Sequence, residues 1–101
     1  MNYVLVSNDP NVDPLTRIKV PGRPQADHPC LAFASQELCR FFMGARGIDD
    51  KQFAVTSILD VSKNANFPSA ILIFTSEQQI LDSVANPEGF DYESLMQRFV
   101  V

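Results

Sequence analysis

The sequence predicts a small α/β or α+β fold: a mixed β-sheet of four to five strands with two to three packed helices, containing two similar strand–turn–helix units. Three observations lead there. Two short apolar runs, Cys30–Ala34 and Ala70–Phe74, each lead through a serine into an amphipathic stretch. The two stretches echo each other at an offset of 41 residues, with Leu31 matching Leu72, Phe33 matching Phe74 and Ser35 matching Ser76. The 101 residues are 46% hydrophobic and include eight Phe, enough to build one core without a metal or disulfide. Residues 1–101 therefore read as a single domain.

The elements follow in chain order. Tyr3–Val6 is a strand, of edge or framework type, ended by Asn8-Asp9-Pro10. Residues 8–29 hold five of the seven Pro and read as a long Pro-rich loop region. Within it, residues 16–20 alternate, Ile18 and Val20 against Arg17 and Lys19, which suits a short exposed strand. Ser35 can cap a helix over 36–46, whose apolar stripe is Leu38, Phe41, Phe42 and Ala45, widened by Cys39 and Met43. Gly47 suits the left-handed C-cap, with Ile48 folding back.

Residues 53–61 are partly apolar on both parities, as in a fairly central strand. Lys63 to Pro68 reads as a loop. After Ala70–Phe74, Ser76 and Gln79 have capping-box spacing, and Ile80, Leu81 and Val84 form the apolar face of a helix ended by Asn86-Pro87. Phe90-Asp91 opens a third helix on the spacing of Tyr92, Leu95, Met96 and Phe99, unless residues 99–101 extend and join the sheet.

The net charge of −4 opposes nonspecific binding to nucleic acid. The charge is segregated: Glu77 to Glu93 holds five carboxylates and no Lys or Arg. No signal peptide or membrane-length apolar run is evident, so the expected location is cytoplasmic, with Cys30 and Cys39 as reduced, buried thiols.

Catalytic chemistry finds little footing. His28, Cys30 and Cys39 lack the spacing and the fourth ligand of a zinc site, so no metal or other cofactor is expected. The G-x-S-x-G elbow is absent around Ser35 and Ser76, and no Gly-rich phosphate loop occurs. The sequence therefore favours a non-enzymatic protein-interaction or regulatory domain, with a protein partner or self-association. Its candidate contacts are the strand 16–20, with Arg17, Lys19 and Arg23, and the acidic C-terminal region, with Glu88, Asp91 and Glu93. One alternative is a ligand-binding or enzyme domain with a polar cleft near His28, Ser35, Thr75 and Ser76, at the C-terminal ends of parallel strands. Another is a structural accessory subunit.

Overall fold

The structure, a computed structural model, describes residues 2–24, 28–63 and 70–98. Five strands form one mixed sheet: β1 (Tyr3–Ser7), β2 (Cys30–Phe33), β3 (Phe53–Ser57), β4 (Ala70–Phe74) and β5 (Met96–Arg98), in the order β3-β1-β2-β4-β5. Three helices accompany them: α1 (Gln36–Arg46), α2 (Ile58–Val61) and α3 (Glu77–Ala85). The predicted small mixed sheet with packed helices is the fold observed.

The internal echo has a direct structural meaning. β2 and β4 are parallel neighbours, and Cys30 pairs with Ile71, Leu31 with Leu72, Ala32 with Ile73 and Phe33 with Phe74. Every pair is 41 residues apart, so the echo is the register of the sheet. Ser35 and Ser76 have almost identical backbones, φ −147° with ψ 162° and φ −147° with ψ 156°. Each hydroxyl accepts an amide hydrogen from the helix it opens, from Leu38 at 3.2 Å and from Gln79 at 3.3 Å.

Because the strands match, their side chains sort into two layers. Leu5, Leu31, Phe33, Leu72 and Phe74 face α1 and α3. Phe33, Phe42 and Phe74 form an aromatic triangle with centroids 5.1, 5.9 and 6.0 Å apart. Phe90 extends it from Phe74 at 6.2 Å, and Tyr92 closes edge-on to Phe90 at 5.0 Å. The opposite face holds Val4, Cys30, Ala32, Ile71 and Ile73, packed with Leu15 and Ile58.

The helix faces are turned slightly from expectation. In α1 the buried residues are Cys39, Phe42 and Met43, while Ala45 is exposed. Gly47 takes the left-handed cap at φ 67°, and the Ile48 amide donates to Met43 O at 2.9 Å. In α3 Leu81 is 45% exposed, and Ile80 and Ser83 are the buried pair. The Gln79 carboxamide reaches back one residue further than a capping box requires, accepting from the Thr75 amide at 2.8 Å.

Other expectations need correction. The strand expected over 53–61 stops at Ser57, because the chain turns into α2 and buries Ile58 on the second face. It is an edge strand, not a central one, and β1 lies inside the sheet between β3 and β2. The third helix is a single 3-10 turn at Glu93–Leu95, after which Met96–Arg98 pair antiparallel with β4. Residues 99–101 lie outside the described residues, as do 64–68 of the expected loop.

The segment 16–20 is not an exposed strand either. It belongs to a wedge between β1 and β2. Ser7 N donates to Pro14 O at 2.7 Å, and Thr16 Oγ1 to Leu5 O at 3.3 Å. On the other side Leu31 N donates to Thr16 O at 2.9 Å and Ile18 N to Pro29 O at 3.2 Å. The wedge satisfies main-chain groups that β1 and β2 would otherwise exchange. Ile18 and Val20 are buried against the α1 face, which leaves only Arg17 and Lys19 outward.

The aromatic triangle gives a direct stability test. Phe74→Ala should cost about 3–5 kcal/mol, a large fraction of a small domain's total. Ser35→Ala should cost about 1 kcal/mol. Urea unfolding of the two variants against wild type checks both the values and their order.

Candidate functional site

The structure separates His28 from the other residues of the expected polar cleft, which follow the ends of two neighbouring strands. Ser35, Thr75 and Ser76 stand beyond the C-terminal ends of β2 and β4, whereas His28 precedes the N-terminal end of β2. Seven extended residues put roughly 20 Å between His28 and Ser35. The parallel strands do not open a ligand crevice between them. Such a crevice needs their helices on opposite faces, and here α1 and α3 share one face and one aromatic core. Both serines are occupied as caps. His28 Nε2 is buried with no partner among the described residues.

The two thiols are equally remote from chemistry. Cys30 and Cys39 are free and buried on opposite faces of the sheet. Burial pushes each thiol up to about 12. A nearby guanidinium, Arg17 for Cys30 and Arg40 for Cys39, opposes this only in part. At neutral pH both are protonated and poor nucleophiles.

The segregated charges meet within the molecule. Arg23 and Glu93 form a two-pronged ion pair, Nε to Oε1 and Nη2 to Oε2, both at 2.8 Å. It ties the Pro-rich region to the turn before β5. Arg17 lies 3.4 Å from Asp13 and donates to His28 O at 3.1 Å. Asp91 Oδ1 accepts the Ser94 amide at 3.3 Å, steadying the 3-10 turn. Lys19 and Glu88 are exposed. Of the candidate interaction residues, Arg23 and Glu93 bind each other.

A different surface combines shape with unmet main-chain valence. A groove of about 530 Å³ lies between α1 and β3. Met43, Ile48, Phe53 and Val55 supply its apolar lining, Arg40 its basic part, and Asp49 and Asp50 its acidic part. Gly44 also lines it, and a Cβ placed there would meet nothing within 4 Å. Glycine costs a helix roughly 0.5–1 kcal/mol relative to alanine, and no packing among the described residues requires it here. A second hollow of about 470 Å³ adjoins at Phe53 and includes Val12, which is 53% exposed.

The register of β3 decides which of its peptide groups face outward. Asn8 N donates to Gln52 O and Ile58 N to Asn2 O, each at 2.9 Å. Between these points β1 and β3 pair residue by residue, Val6 with Ala54 and Val4 with Thr56. Hydrogen-bonded pairs alternate in an antiparallel ladder. Ala54 and Thr56 therefore direct their N–H and C=O groups into β1. Phe53 and Val55 direct theirs outward, beside the groove, and no described strand lies beyond β3. Natural edges are commonly guarded by charge or proline. Phe53–Ser57 has neither, whereas the opposite edge, β5, carries Arg98.

Comparison with family models, with curated proteins and with solved structures finds no match to this chain. The site therefore rests on its own geometry. Sequence reading had signals for it, a charge-free strand and a glycine inside a helix, but not the strand order that makes β3 an edge. No described helix is long and apolar enough to cross a membrane.

Three outcomes check this description. Thr56→Pro removes an inward ladder donor and should cost about 1–3 kcal/mol, while Val55→Pro should cost clearly less; chemical denaturation compares them. Native protein at pH 8 should leave both thiols unreacted towards a disulfide reagent until it is unfolded. Arg23 holds the Glu93 carboxyl below its ordinary value of 4.5, chiefly through their hydrogen bonds. The folded pKa is depressed, so the contact stabilises the fold above the ordinary carboxylate pKa and is lost as pH falls through the depressed one. Arg23→Ala should raise the Glu93 pKa in an NMR titration.

Proposed function

We propose that this chain is a non-enzymatic protein-interaction domain that recruits an extended chain segment to the outer edge of β3. The carrying observation is the pair of outward peptide groups at Phe53 and Val55, on an uncharged edge beside an apolar groove. Strand addition uses such an edge for affinity, through main-chain hydrogen bonds, and the adjoining pocket for side-chain selection. Gly44 supports the reading, because it keeps the helical wall low where an incoming side chain would seat. The charge pattern adds a rim of both signs around an apolar centre, the arrangement that orients a partner.

An enzyme or small-ligand role has less support. His28 and the serines do not converge, the serines serve as caps, and the thiols are held protonated.

Val55→Pro tests the reading, because it removes an outward donor and spares the ladder to β1. Two signals are read on wild type and variant: capture of peptides from a random display library, and concentration-dependent mass of the pure protein. At least one should be present in wild type and weaken about tenfold or more in Val55→Pro, a loss of about 1.4 kcal/mol. Absence of both signals, or no weakening in the variant, overturns the proposal.

A further inference from the structure

We infer that the segment recruited by β3 is β3 of a second copy, paired antiparallel about a two-fold axis; this rests on the strand-addition reading above. The charge order of the groove carries the inference. β2 and β3 both run antiparallel to β1, so they run in the same direction. α1 connects them and must descend as β3 ascends. Arg40 lies seven residues before the Gly47 cap, about 10 Å up the helix. That height equals about three strand residues, which places Arg40 near the level of Thr56. Asp50 lies in the α1–β3 turn at the foot of the same groove. The groove is thus acidic at its foot, apolar in the middle and basic near its head.

A two-fold operation inverts that order. With β3 antiparallel to its copy, the foot of one groove meets the head of the other. Asp50 of each chain then approaches Arg40 of the other, and the apolar centres coincide. An isologous interface needs this self-complementarity, each contact occurring twice. A parallel two-fold pairing would put the two grooves on opposite faces of the joined sheet, where their charges could not meet. Asp50 is the freer of the two acids, because Asp49 Oδ1 already accepts the Lys51 amide at 2.9 Å. Arg40 is exposed, and its described side-chain bond is to Gln36 Oε1 at 3.3 Å. The outward groups of Phe53 and Val55 would find partners, and two five-stranded sheets would become one of ten strands.

A five-residue strand with a narrow flank is a small interface, so the dimer should be concentration-dependent. Sedimentation equilibrium of the full chain, from roughly 1 µM to 1 mM, should show the mass rising from 11.3 kDa towards twice that value. Arg40→Glu alone and Asp50→Arg alone should each weaken the dimer about tenfold or more. Mixing the two variants should restore it, because both cross-pairs then join opposite charges. A merely misfolded variant cannot give that rescue. A mass that stays monomeric throughout, or a dimer that ignores both variants and their mixture, overturns the inference. A monomer that captures library peptides in a Val55-dependent way also overturns it, while leaving the strand-addition reading intact. A monomer that captures none removes both.

Discussion

The parallel, in-register pairing of β2 with β4 is the constraint on which the other features depend. It places Phe33 beside Phe74 and gives Phe42 of α1 a shared surface to cover. Both strands then hand the chain to serine-capped helices on the same side. That arrangement makes a continuous aromatic core and removes the crevice that helices on opposite faces would open. The most regular part of the molecule is therefore its least available part for chemistry.

The remaining chain completes the sheet around this pair. The wedge at 14–18 separates the end of β1 from the start of β2 and takes up their main-chain groups on both sides. β5 covers the far side of β4, and the Arg23–Glu93 pair fastens its approach. β1 is covered by β3, but no described strand covers β3 itself. Unmet peptide groups, an apolar groove and opposed rim charges coincide there. This coincidence, and not a constellation of reactive side chains, motivates a role in binding.

Local grammar made much of the fold legible. Ser35 and Ser76 marked two helix starts, Gly47 and Asn86 marked two ends, and the 41-residue echo anticipated a strand register. Helix faces were less legible, because apolar residues surround more than one side of α1, and packing into the core on that face of the sheet selected Cys39, Phe42 and Met43. The strand starting at Phe53 runs shorter than its apolar pattern suggests, for a related reason. Ile58, Leu59 and Val61 continue its apolar pattern but belong to a helix on the other face. The alternation at 16–20 was real, yet its peptide groups turn inward to β2 and the chain just before it, while the Thr16 hydroxyl reaches β1, neighbours that sequence alone does not bring near. The candidate site was hidden because it depends on strand order, which is set by contacts between residues far apart in the chain.

Native-state hydrogen exchange in dilute solution bears most directly on the central claim, that one side of β3 is paired and the other open. The amides of Ala54 and Thr56 should exchange slowly and those of Phe53 and Val55 rapidly, in strict alternation. Uniform protection across residues 53–56, or rapid exchange at all four, would contradict the account.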